Sequence, residues 1–209
     1  MIEQGSPEWF AQRLGKLTAS RIADAMAKTK SGWGASRANY MAQLVAERLT
    51  GEAQESYTNT AMQWGKDTEP HARAAYEFRT DATVTPAGFV DHPVIEMSGA
   101  SPDGYVGDYG LVEIKCPNTA THIETLLGTE VPGKYRLQMQ WQMACTKRQW
   151  VDFVSFDPRM PEHMRLFVAR IKRDDVLIAQ LENDVIDFLG ELDRKVDDLR
   201  KLYPLREAA

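Results

Sequence analysis

Ala100-Ser101-Pro102-Asp103-Gly104-Tyr105-Val106-Gly107-Asp108-Tyr109-Gly110-Leu111-Val112-Glu113-Ile114-Lys115-Cys116 is the stretch whose reading decides the fold. Gly107-Asp108-Tyr109-Gly110 is a cluster of residues that tolerate positive φ, set between two short runs suited to strands. The segment therefore reads as a β-hairpin, with Asp103 entering the first strand and Glu113 and Lys115 on the second. Side chains alternate along a strand, so Glu113 and Lys115 share one face while Val112 and Ile114 take the other. Closing the hairpin carries Asp103 to the Glu113 face, within cross-strand reach. Two carboxylates and one ammonium then meet at a single point on a rigid support.

That trio suits a hard divalent cation such as magnesium, which takes carboxylate and carbonyl oxygens and leaves positions for water and substrate phosphate. A lysine beside it can orient or deprotonate a water and offset charge building on phosphorus. The plainer reading is a surface ion pair across a hairpin, which stabilises little. Spacing alone does not choose between the two. The flanks do, because Ser-Pro-Asp-Gly opens the hairpin and Lys-Cys-Pro closes it.

The 209 residues, 43% of them hydrophobic, suit one domain with a full core. No apolar run approaches membrane-spanning length, and Met1-Ile2-Glu3-Gln4-Gly5 lacks the basic-then-apolar pattern of a signal peptide. Cys116 and Cys145 are too few for a disulfide framework or a four-thiolate cluster, so free thiols in a reducing cytoplasm are expected, with Cys116 a packing residue. A net charge of −5 and a pI near 5.5 run against the basic stripe of a nucleic-acid binder. Phosphate contact is local, however, and cations gathered in one groove suffice for it.

Working outward, Ser6 caps a first helix with Pro7 at its first position, and a second helix is expected over 21–28. Residues 28–35, rich in Gly, Ser and Lys around Trp33, read as a loop. Residues 37–50 form an amphipathic helix with Tyr40, Met41, Leu44, Val45 and Leu49 on one face and Gly51 as its stop. Residues 58–79 are helical in pattern, with Pro70 expected to kink or restart the helix. Strands are expected over 83–90, 94–98, 150–156 and 163–170, and helices over 119–127 and 135–146. Pro132-Gly133-Lys134 reads as a turn, and Asp157-Pro158-Arg159-Met160 joins the last two strands. A long helix over 174–202 carries Val176, Leu177, Leu181, Val185, Phe188, Leu189, Leu192, Val196 and Leu199 at roughly helical spacing. His71, His92, His122 and His163 show no metal-ligand spacing.

Ser101-Pro102-Asp103-Gly104, followed by Glu113-Ile114-Lys115-Cys116-Pro117, resembles the active-site signature of the phage lambda exonuclease and YqaJ-type viral recombinase family, within the nucleases that share the PD-(D/E)XK metal site. The likeness runs from Trp9 to about Arg173. It includes the segment from Trp9 to Ser20, Gly65 with Glu69, and Gln138-Met139-Gln140-Trp141-Gln142-Met143. It implies that Asp103, Glu113, the Ile114 carbonyl and Glu69 hold the metal, two magnesium ions per site with manganese able to substitute, and that Lys115 positions or activates the attacking water. Arg13 and Ser20, with Ser101, inherit contact with a terminal 5′-phosphate, although Ser20 also reads as a helix cap. Met62 resembles an apolar position near the junction where strands separate; from the residues alone it reads as core. Of the glutamines, the resemblance favours Gln140 as the catalytic one, with Gln138 as runner-up. Gln138 and Gln142 share a face, and Gln140 points about 200° away from Gln138.

The fold implied is α/β, a central mixed sheet bearing the catalytic hairpin and flanked by helices, in one domain over 1–209. The activity implied is degradation of one strand of linear duplex DNA from a 5′ end to mononucleotides, leaving a 3′ overhang. Family members of this type close as a three-subunit ring around DNA and work beside a single-strand annealing protein in phage-type recombination. Two readings compete: a restriction- or repair-type endonuclease, and a DNA-end-binding module without catalysis. Intact Asp103, Glu113 and Lys115 speak against the second. Nucleases that add a cysteine-held iron–sulfur cluster are excluded by two cysteines.

Overall fold

The computed structural model of the chain describes residues 2–30, 32–54 and 60–204. Helix α1 (Pro7–Arg13) starts as its sequence dictates: Ser6 Oγ accepts from Trp9 N, and Pro7 occupies a first-turn position whose N–H would go unused. Strand β1 (Leu17–Thr18) and a 3-10 turn at Ala19–Arg21 lead into α2 (Ile22–Ala25), a single turn where a longer helix was expected. β2 (Lys28–Thr29) and β3 (Gly32–Trp33) pair as a small hairpin inside the stretch read as a loop; Ser31 lies outside the described residues. α3 (Ala35–Thr50) stops where Gly51 turns left-handed at φ 72°.

α4 (Thr60–Thr80) runs through Pro70 as one helix and does not restart there. A proline removes one backbone bond, and the packing of Ala72 and Tyr76 beyond it carries the helix on. Thr58, the start read from the sequence, lies outside the described residues. The strands expected over 83–98 shrink to β4 (Val84–Thr85), β5 (Val90–Asp91) and β6 (Ser98–Ala100). Between the last two, His92 Nδ1 accepts from Ile95 N at 3.1 Å and Met97 takes φ 57°, which makes a turn of residues read as strand. β7 (Gly104–Val106) and β8 (Gly110–Lys115) form the hairpin. After them come α5 (Thr119–Gly128), α6 (Gly133–Thr146), β9 (Trp150–Phe156), β10 (Leu166–Lys172) and α7 (Asp175–Leu202), whose cap is the Asp174 side chain.

The main sheet is mixed, ordered β10-β9-β8-β7-β4, with β8 and β9 parallel and the other neighbours antiparallel. A smaller sheet has the order β1-β6-β5. Alternation along β8 divides the core. Val112 and Ile114 pack with Ala72 and Tyr76 of α4, whereas Leu111 joins Met139, Trp141 and Met143 of α6 together with residues of α3 and α7. Helices therefore flank the sheet on both faces, as expected. The hairpin register pairs Gly104 with Val112, so one step further Asp103 stands opposite Glu113. Gly107, at φ 55°, makes the turn between the strands. Gly104 lets β4 lie close, since a Cβ there would stand 2.3 Å from Val84 Cγ1 and 3.1 Å from Thr85 O.

Two members of the expected stripes are exposed. Leu49 is 41% exposed because it stands five residues from Leu44, about 140° round the helix. Val176 is 82% exposed, and Ile178, about 200° away, takes its place in the α7 stripe.

Candidate functional site

The hairpin and α6 together build a dense polar cluster. Glu113, only 1% exposed, accepts from Gln138 Nε2 at 2.6 Å and from Lys115 Nζ on Oε1, and from Gln142 Nε2 at 2.5 Å on Oε2. Asp103 Oδ2 accepts from Ile114 N at 2.6 Å, so a peptide of the second strand fixes the carboxylate that precedes the first. Burial, and then the negative charge of Glu113, push the Asp103 carboxyl well above its ordinary range; Lys115 opposes this and Glu69 adds to it. Burial also opposes the charge on Lys115, but Glu113 and Asp103 outweigh it and hold the ammonium above its usual range. In this arrangement Lys115 is a firmly protonated cation.

Glu69 comes to the cluster from α4. Its Oε1 accepts from Arg73 Nη2 at 3.1 Å, and the same nitrogen donates to the Asp103 carbonyl at 3.2 Å. One guanidinium thus ties the third acid to the backbone of the first. Among the described residues no three His, Cys, Asp or Glu side chains close into a metal-binding group. A cation of the magnesium type does not require such a cage, because water and phosphate oxygens complete its shell. The donors present fit it: Asp103, Glu113 and a β8 carbonyl are hard oxygens. The adjacent Cys116 thiol, pushed up to about 12 by burial and then by Glu69 and Asp103, stays protonated and offers no soft ligand.

Gln140 is not in the cluster. Its Nε2 donates to Lys172 O at 2.9 Å and its Oε1 accepts from Asp174 N at 3.0 Å, so both ends are used in joining α6 to the start of α7. The glutamines that meet Glu113 are Gln138, expected as runner-up, and Gln142, which no site reading included. The signal for Gln142 was present in its i, i+4 spacing from Gln138.

Arg13, at the end of α1, lies over the Trp9 ring at 4.0 Å and donates from Nη1 to Ser101 Oγ at 3.1 Å, two residues before Asp103. Burial lowers its guanidinium to about 10, which leaves it charged at neutral pH. Trp9 Nε1 donates to the same hydroxyl at 3.0 Å. Ser20 is exposed inside the 3-10 turn, with Thr18 Oγ1 at 3.4 Å; the turn's N-cap is Thr18 and makes no side-chain cap bond, so Ser20 is not a helix cap. Met62 is 46% exposed on α4, which excludes the core role.

The profile of the YqaJ-like viral recombinase domain matches residues 8–149. The chain belongs to that family. Every site residue from Arg13 to Gln142 falls within the YqaJ-like match. Among solved structures, the alkaline exonuclease LHK-Exo of Laribacter hongkongensis is 55% identical, over 94% of this chain and 97% of that one, with a TM-score of 0.88. The same protein in complex with dAMP has a TM-score of 0.89 at 55% identity, over 94% and 97% of the two chains. A phage-related exonuclease from Haemophilus somnus 129PT shares the YqaJ-like chain's fold at 16% identity and a TM-score of 0.70, over 88% of this chain and 96% of that one. Comparison with curated proteins gives no match. Among the described residues, no helix is long and apolar enough to cross a membrane.

Proposed function

We propose that the chain is a single exonuclease domain that degrades one strand of linear duplex DNA from a 5′ end, in a magnesium-dependent reaction that leaves a 3′ overhang. The observation that carries this reading is the joining of Asp103, Glu113 and Lys115 at one point of the hairpin, in a chain 55% identical to an alkaline exonuclease over nearly its whole length. The binding of dAMP by that relative supports a mononucleotide product.

Asp103, Glu113, the Ile114 carbonyl and Glu69 are the oxygens that would hold the metal. When bound, a divalent cation activates water and neutralises charge on the phosphoryl oxygens. The chain's own groups supply the rest. Gln138 and Gln142 hold the two oxygens of Glu113 in a fixed plane. Lys115, kept protonated by its acidic neighbours, orients a water by donating to it and offsets negative charge as the phosphorus centre becomes five-coordinate. Arg13, backed by Trp9 and held by Ser101, would receive a terminal 5′-phosphate, with Ser20 on the following turn. A ring of three copies would keep the enzyme on its strand, and an annealing protein would take up the overhang.

Digestion of 5′-phosphorylated, 5′-hydroxyl and covalently closed circular duplexes, with and without magnesium, tests the reading. Glu113→Ala and Lys115→Ala proteins run alongside. The expected result is magnesium-dependent release of mononucleotides from phosphorylated ends, lost in both variants. Cutting of the circle would replace the exonuclease by an endonuclease.

A further inference from the structure

Pro70 lacks the N–H that would bond to the carbonyl one turn back, so α4 is weakened there. The two halves of the helix are held unequally. Beyond Pro70, Ala72 and Tyr76 are buried against the sheet. From Thr60 to Asp67 no side chain is fully buried, and Trp64 is the large side chain that turns inward. Its ring is covered by the Arg159 guanidinium at 4.4 Å.

Arg159 is itself rigidly mounted. Its Nε and backbone N donate to Asp157 Oδ1 at 2.7 and 3.0 Å, and its Nη2 donates to Oδ2 at 2.9 Å. Asp157 is fully buried and also accepts from Thr119 Oγ1 at 2.7 Å. The same guanidinium reaches the Pro117 carbonyl at 3.4 Å, just past the end of β8. A fixed cation beside the strand of Glu113 and Lys115 therefore grips the less buried half of α4 five residues before Glu69, whose carboxylate Arg73 holds from the other side.

We propose that Arg159, acting through Trp64, is a positioning residue that sets where the Glu69 carboxylate stands relative to Asp103 and Glu113, and so tunes affinity for the divalent cation. The inference rests on the metal-site reading given above. It assigns a task to Asp157-Pro158-Arg159, a segment with no part in the site so far.

Titration calorimetry with Mn²⁺ on the DNA-free protein provides the test, because it reads cation affinity without turnover. Wild type is compared with Arg159→Lys, Trp64→Leu, Trp64→Phe and Glu69→Gln. Arg159→Lys and Trp64→Leu should each raise the dissociation constant about 10-fold, the lower end of what loss of a ligand's support costs. Trp64→Phe, which keeps a ring under the guanidinium, should retain most of the affinity. Arg159→Lys added to Glu69→Gln should weaken binding no further, since both act on one carboxylate. A purely structural role would lower the melting temperature and leave the dissociation constant alone. Unchanged affinity in both Arg159→Lys and Trp64→Leu, beside a loss in Glu69→Gln, overturns the inference and spares the metal site. Unchanged affinity in Glu69→Gln overturns both.

Discussion

Replacing Gln142 by leucine asks whether Glu113 needs a donor on each oxygen. The change roughly keeps side-chain volume and removes the Nε2 donor that stands 2.5 Å from Glu113 Oε2. A hydrogen bond to a charged group contributes about 1.5–3 kcal/mol net. Against this loss stands the removal of Gln142 Oε1, a buried acceptor with no partner among the described residues, whose burial costs about 1–3 kcal/mol. The two nearly cancel, but Glu113 Oε2 is left buried without its donor, so the net effect should be a destabilisation of about 1–3 kcal/mol, a drop of about 2–12 °C for a chain of this size.

Activity should fall independently of that stability loss. Oε1 of Glu113 keeps Gln138 and Lys115, while Oε2 loses the bond that stops the carboxylate rotating. Loss of such a support typically costs about 10–100-fold, and kcat/KM on a 5′-phosphorylated linear duplex should fall in that range. Gln140→Leu is the counterpart. It strands the Lys172 carbonyl and the Asp174 amide at about 1–3 kcal/mol each, so melting should drop by many degrees while each folded molecule turns over normally. Thermal unfolding and initial rates on both variants decide the matter. Wild-type kcat/KM in Gln142→Leu, or a folded but inactive Gln140→Leu, would refute the reasoning.

Other positions give sharper stability tests. Gly65→Ala should stabilise by about 1 kcal/mol, seen as a higher melting temperature, because the position is inside α4 and an added Cβ meets nothing within 4 Å. Gly104→Ala should destabilise by about 1–3 kcal/mol in urea unfolding, since its Cβ would stand 2.3 Å from Val84 Cγ1. Burial alone would raise the Asp157 carboxyl, but bonds from Arg159 and Thr119 outweigh it and bring it down to about 2. Its folded pKa lies below its unfolded one, so its stabilisation is present above about pH 4 and is lost as pH falls toward 2. Asp157→Asn should flatten that part of the unfolding free energy between pH 5 and 2; an unchanged acid limb would remove Asp157 from the account.

What the sequence made legible was what local rules determine. The Gly107 turn and the strand alternation of β8 are set by neighbours a few residues apart, and they sufficed to place Asp103 opposite Glu113. Ser6, Gly51 and Asp174 mark helix ends by the same short-range chemistry. The glutamines were harder because spacing gives relative angles and not the absolute turn of α6 about its axis. That turn is fixed by Met139, Trp141 and Met143 settling into the core, which swings Gln138 and Gln142 to Glu113 and leaves Gln140 to bridge Lys172 and Asp174. The β2–β3 hairpin and the turn after His92 were missed for a related reason: their hydrogen bonds rest on two-residue strands and a histidine acceptor that leave no periodic trace.

The net charge also has a location. α7 alone holds eight acidic and four basic residues, which supplies four of the five net negative charges of the chain. Its apolar stripe, from Ile178 to Leu192, packs into the core with α3 and α6, and three of its acids are engaged by Arg37, Arg48 and His92. Asp187, Asp197 and Asp198 are exposed on its outer face. The remainder of the chain is close to neutral even though it includes Asp103, Glu113 and Glu69. Charges beyond about 8 Å are largely screened at physiological ionic strength, so what a phosphate meets is decided by the groups beside it. In the proposed function those groups are Lys115 next to the carboxylates and Arg13 beside Ser101. An acidic pI here mostly reflects one helix, and it carries no weight against a nucleic-acid substrate.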